Sequence, residues 1–246
     1  MTSAEHRTWF RENVAWFEAL PLDALDRDIP ACPGWTIDDV LNHLTFGLGV
    51  GYPLGLAAAP DADPATVFTD LVVPAESPRG PAALDAFRRH MGACADRFDQ
   101  VEPGTPCWTY AGPGVAAFWF RRAAIETWLH RVDVVDAVPE LDEALADDRA
   151  RDAIEETFEF TFPLASALVG QPTSRLLVDS SCLPSPLTFG SDDHTQDQPR
   201  VALRGDGHDV LLALWGRHLD RIEVDGPDQA AQEWLGLVEA AFARPS

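Results

Sequence analysis

The sequence predicts two architectures in one chain: a four-helix bundle over about residues 1–139 and a small α+β domain over about 140–246. Three observations predict this. Apolar residues recur at helical spacing in four separate stretches before Val138, and the stretch "PELDEALADDRARD" that follows is acidic and reads as a boundary. Beyond it the pattern changes to short, β-branched runs bounded by turn residues.

The elements follow in order. Trp9, Phe10, Val14, Phe17 and Leu20 fall at helical spacing and predict a first helix over 4–19. The proline-punctuated "PLDALDRDIPACPGW" connects it to a second helix that starts at Thr36. There the hydroxyl can cap, Asp39 completes a capping-box pattern, and Asp38 favours the positive end of the helix dipole. That helix runs through "IDDVLNHLTFGLGV" and weakens at Gly47, Gly49 and Gly51. Residues 52–80, rich in Pro, Ala and Asp, read as a long connection with one short helical piece.

A third helix spans 81–100, with Pro81 tolerated in its first turn. "VEPGTPCWTYAGPG" reads as a loop, and a fourth helix covers about 115–137, ending before Pro139. In the second part a helix is predicted over 151–168, strands at "SRLLVDS", "RVALRG" and "RIEVDG", and helices over 207–217 and 228–243.

Composition narrows the function classes. Hydrophobic residues make up 46% of the 246, ample for a core. No apolar run approaches the about 18 residues needed to span a membrane, and the charged, amphipathic start has no signal-peptide core, so a cytoplasmic location is expected. There are 40 acidic against 18 basic residues, a net charge of −22. Such a surface repels phosphate backbones and argues against a nucleic-acid partner. Every basic residue is arginine, so Schiff-base chemistry on lysine is excluded. The bias toward Ala, Arg, Asp and Gly suggests a GC-rich bacterial genome. The cysteines, Cys32, Cys94, Cys107 and Cys182, form no CxxC pair, which argues against a cysteine zinc knuckle or a thioredoxin-like site and for small buried thiols.

Three residues carry chemistry. In "IETWLHRVD", Glu126 and His130 stand one helical turn apart. Alone, such a pair is more often a solvated helix face, but Ala123, Ala124, Ile125, Trp128, Leu129 and Val132 leave little room for one. His43, three after Val40 and beside Leu41 and Leu44, reads alone as a hydrogen-bonded core imidazole. Taken together, two imidazoles and a carboxylate on two helices of one bundle match the ligand set of catalytic zinc, with a fourth position open to water or substrate. A cation would also make a buried carboxylate tolerable. Asp133, three beyond His130, either orients a ligand, acts as a base, or is an exposed aspartate paired with arginine. HExxH is absent, so a zincin-type protease is not supported.

"CPGWTIDDVLNHL" and "ETWLHRVDVVDA" resemble the mycothiol-dependent maleylpyruvate isomerase family within the wider DinB-like superfamily, and "GHDVLLALWGRHLDRIEVDG" is similar to its C-terminal domain. The resemblance implies a DinB-like bundle carrying a divalent metal, usually zinc, on His43, Glu126 and His130, with mycothiol as thiol cosubstrate. It associates Asp133 and Arg217, the latter in "WGR", with thiol or substrate handling. The family's sulfur nucleophile is the small-molecule thiol, so Cys32 is not expected to be catalytic. The implied enzyme is an isomerase, in which the thiol adds, a double bond rotates and the thiol leaves, or a transferase, in which the thiol stays. A net charge of −22 opposes a dianion such as maleylpyruvate unless local arginines reverse the field, so S-transfer to another small electrophile stands beside isomerisation. A hydrolase using metal-bound hydroxide, and a non-enzymatic small-molecule binder with a sterol-carrier-like second domain, are the alternatives.

Overall fold

The computed structural model describes residues 1–71, 74, 76–141, 147–190 and 200–242. Residues 142–146 of the expected acidic boundary, and residue 243 of the expected last helix, lie outside these. The chain divides into two compact units, Met1–Glu143 and Ala144–Ser246.

The first unit contains α1 (Ser3–Glu18), α2 (Ile37–His43), α3 (Gly51–Ala57), α4 (Pro64–Val67), α5 (Pro81–Asp99), a hairpin of β1 (Pro106–Thr109) and β2 (Gly112–Val115), and α6 (Ala117–Ala137). α1 packs on α5 and α6 through an aromatic core. Phe10 meets Phe98 at 5.4 Å between ring centroids, Phe17 meets Phe87 at 5.4 Å, and Phe98 meets Phe120 at 4.9 Å. Buried Asn13 ties α1 to α6, donating from Nδ2 to the Ala124 carbonyl and to Thr127 Oγ1.

α2 begins as the sequence predicts. The Thr36 backbone N–H donates to Asp39 Oδ2 at 2.9 Å, and Asp38 accepts the Gly80 N–H at the start of α5. The helix does not fade at its glycines. It continues through a π-helical stretch, Leu44–Val50, into α3 and ends at Ala57. Here glycine serves close packing: a Cβ at Gly55 would lie 2.3 Å from the Trp119 ring, and one at Gly49 would lie 3.1 Å from His90 and Met91. The wider π turn starts immediately after His43.

The hairpin also departs from expectation, since residues 101–114 read as a loop. β1 and β2 pair antiparallel from Pro106↔Val115 to Thr109↔Gly112, and Gly112 turns the chain at φ +94°. Trp119 Nε1 donates to the Trp108 carbonyl at 2.9 Å, fastening the hairpin to α6.

The second unit contains α7 (Asp147–Glu156), a π-helical stretch (Thr157–Thr161), α8 (Phe162–Val169), β3 (Arg175–Ser180), β4 (Leu187–Phe189), β5 (Arg200–Gly205), α9 (Gly207–Leu214), β6 (Glu223–Asp225), α10 (Asp228–Leu235) and α11 (Leu237–Phe242). Its sheet has the order β4-β3-β5-β6, with β3 and β5 parallel and the outer pairs antiparallel. All three expected strands form, and β4 is an addition. Phe162, Phe189 and Trp234 pack at its core, where Trp234 Nε1 donates to Ser174 Oγ at 2.8 Å. A helical N-terminal region and a small-sheet α+β C-terminal region therefore form, as the sequence predicts.

Candidate metal centre

α2 and α6 bring three of the expected side chains together. His43, on the last residue of α2, places Nε2 3.2 Å from Glu126 Oε1. His130, one turn along α6 from Glu126, places Nε2 3.5 Å from the same oxygen. The two imidazole centroids are 4.8 Å apart. Side-chain exposure falls along the cluster from 29% at His43 through 17% at Glu126 to 10% at His130, so His43 marks its solvent side. His43 is thus half-buried rather than fully inward. The Glu126–His130 pair is not a solvated stripe.

Asp133 is fully buried, which overturns its reading as an exposed aspartate. Its Oδ2 lies 2.9 Å from His130 Nδ1, behind the imidazole and away from the cluster. Cys32 Sγ lies 3.8 Å from the same oxygen. The loop before α2 positions Cys32 and Trp35 through turn bonds, Ile29 N–H to the Trp35 carbonyl at 2.8 Å and Trp35 N–H to the Cys32 carbonyl at 2.9 Å. The Trp35 ring stacks on His130 at 6.2 Å and 13° and also meets His43 at 5.4 Å.

Two residues went unnoticed in the sequence. Buried Arg122 donates from Nη2 to Glu126 Oε2, the oxygen opposite the histidines. Its spacing in "RAAIE", four residues before Glu126, is the signal that could have found it. Tyr52 of α3 lies beside Arg122 and is almost wholly buried.

The electrostatics follow from this packing. Burial pushes the Glu126 carboxyl upward, but the Arg122 charge and the bonds from His130 and His43 prevail and hold it well below the usual carboxylate range. Burial lowers His130, but Asp133 and Glu126 outweigh it and raise the imidazole to about 9. Tyr52 is pushed well up and Tyr110 up to about 12, both first by burial and then by the Glu126 charge, so both phenols keep their protons.

Does a divalent cation fit? Arg122 already compensates Glu126, so the buried carboxylate does not by itself call for one. The stronger observation is the donor set. Among the described residues, ligand atoms of His43, Glu126 and His130 all lie within 4.8 Å of one another, and two imidazoles with one carboxylate suit zinc. Cys32, His130 and Asp133 form a second group within the same limit, on the far side of the shared imidazole. Arg217 lies in the second unit, half-buried, with Nη1 donating to the Trp215 carbonyl at 2.8 Å just after Gly216, whose φ is +76°.

The model of the mycothiol maleylpyruvate isomerase N-terminal domain family matches residues 6–135. The chain belongs to that family. It is a family of enzymes, and the matched segment contains His43, Glu126, His130 and Asp133 but not Arg217. Two solved structures are similar to the chain: a mycothiol-dependent maleylpyruvate isomerase, with TM-score 0.61, and a histidine-to-alanine mutant of such an isomerase, with TM-score 0.60. Each is 14% identical, with 92% of this chain and 93% of the other covered, and the likeness is one of fold. No curated protein matches. Among the described residues no helix is long and apolar enough to cross a membrane.

Proposed function

We propose that the chain is a mycothiol-dependent enzyme in which His43, Glu126 and His130 hold a divalent metal, most readily zinc, and a small electrophile is isomerised by reversible thiol addition. The convergence of two Nε2 atoms on Glu126 Oε1, in a member of this family, carries the reading. When bound, such a cation lowers the pKa of a thiol at its open position and so supplies a nucleophile at neutral pH.

The chain's own residues do the rest. Asp133 keeps a proton on His130 Nδ1, which directs Nε2 toward the cluster and fixes the ring plane. Trp35 covers the same ring and limits water beside it. Glu126 stays ionised at neutral pH because Arg122 and the histidines outweigh its burial. Arg217 is proposed to hold an anionic group of the substrate, a role suited to a guanidinium that pairs with carboxylates through two parallel bonds.

In the isomerisation, the thiol sulfur forms a bond to one alkene carbon and the alkene electron pair moves onto the conjugated carbonyl. The former double bond rotates, and the same electrons return as the C–S bond breaks. No atom or proton is gained overall. S-transfer is the second reading, favoured by the net charge of −22, which disfavours dianionic substrates.

Incubation with mycothiol and maleylpyruvate, followed by chromatography and mass spectrometry, separates these readings. The expected result is thiol-dependent cis–trans conversion with no change in substrate mass, and an Arg217→Met variant with KM raised about ten-fold or more. A lasting thiol adduct on another electrophile would favour transfer. Turnover that is the same without thiol would sink both.

A further inference from the structure

Arg122 meets Glu126 at the carboxylate oxygen away from the two histidines. It sits in the first part of α6, buried, one turn before Glu126. It occupies Oε2, while both Nε2 atoms face Oε1, so the carboxylate is divided between two tasks. On the α3 side Tyr52, whose ring packs on Trp119 at 4.7 Å, lies beside the guanidinium.

We propose that Arg122 is a positioning residue: by occupying Oε2 it limits Glu126 to a single oxygen toward a bound divalent cation, keeping a further coordination position open. The inference rests on the reading of His43, Glu126 and His130 as a metal site. A carboxylate left free can bind a cation through both oxygens and raise its coordination number, which closes the position a thiol needs. Arg122 also changes the charge. Glu126 and Asp133 together cancel a divalent cation, and Arg122 leaves the loaded cluster one unit positive, which favours an anionic thiolate. The same positive charge competes with the cation for Glu126. A merely structural arginine would do the opposite, because its removal would loosen the site and weaken binding.

The test uses the full chain, freed of metal with a chelator and titrated with Co²⁺ alone. Wild type should give the intense visible absorption of low-coordinate Co²⁺. In Arg122→Met, which keeps side-chain length without charge or donor, absorption should fall about two-fold or more and Co²⁺ should bind about ten-fold more tightly. Arg122→Lys should restore wild-type behaviour in both. If Arg122→Met does not fold, Arg122→Gln keeps a donor for Oε2 without the charge and should show wild-type absorption with tighter binding. Unchanged absorption and affinity in a folded Arg122→Met, or weaker binding in either uncharged variant, overturns the role of Arg122 while leaving the metal site standing. A wild type that binds no Co²⁺ overturns the site itself.

Discussion

Asp133→Asn removes one charge beside His130. The residue is fully buried, and the amide has nearly the same volume, so no cavity opens. The acceptor of the 2.9 Å contact to His130 Nδ1, and of the 3.8 Å contact from Cys32 Sγ, changes from charged to neutral. Bonds to charged groups contribute about 1.5–3 kcal/mol against about 0.5–1.5 for neutral ones, a difference of about 1–2 kcal/mol. At 1.4 kcal/mol per decade, divalent-cation affinity should fall about five- to thirty-fold. That overlaps the about 10- to 100-fold seen when the outer partner of a metal-bound histidine is lost. Competition with a chromophoric zinc chelator measures it, with circular dichroism to show that α6 is intact. A folded Asp133→Asn whose zinc affinity stays within about two-fold of wild type would show that the carboxylate does not orient His130.

Two further changes probe the scaffold that places the cluster. Gly55→Ala would put a Cβ 2.3 Å from the buried Trp119 ring and should cost about 1–3 kcal/mol, read as a Tm lowered by several degrees; an unchanged Tm would contradict the packing of α3 on α6. Asp39 carries the capping box of α2. Burial raises its carboxyl, but the bonds from Arg79 and Thr36 prevail, so its folded pKa lies below the ordinary 3.8. Its contribution is therefore present above pH 3.8 and lost as pH falls through the lowered value. Urea midpoints of wild type and Asp39→Asn should differ at neutral pH and converge in acid; a gap that persists at low pH contradicts the assignment.

Much of this arrangement is legible in the sequence, and the reasons are local. Thr36 and Asp39 announce the start of α2 because a capping box is a contact between residues three apart. Glu126 and His130 are recognisable as neighbours because one helical turn separates them. Three kinds of information are not local. Gly49 looks like a point where the helix weakens and Gly55 falls in a stretch that reads as a connection, yet the helix passes through both, and the missing side chains leave room for Met91 and Trp119. The hairpin hides in a run rich in Pro and Gly because its stability comes from pairing and from the Trp119 bond to Trp108. Arg122 stands out only once its burial against Glu126 is seen. Trp35 and Cys32 follow no periodicity, because turn bonds place them.

His43, Glu126 and His130 are proposed to form one metal site. Elemental mass spectrometry of the purified chain, loaded with zinc and dialysed, measures it most directly. About one divalent ion per chain is predicted for wild type, and essentially none for a folded His43→Ala. Wild type that retains no metal, or a His43→Ala variant that keeps the full wild-type content, would contradict it.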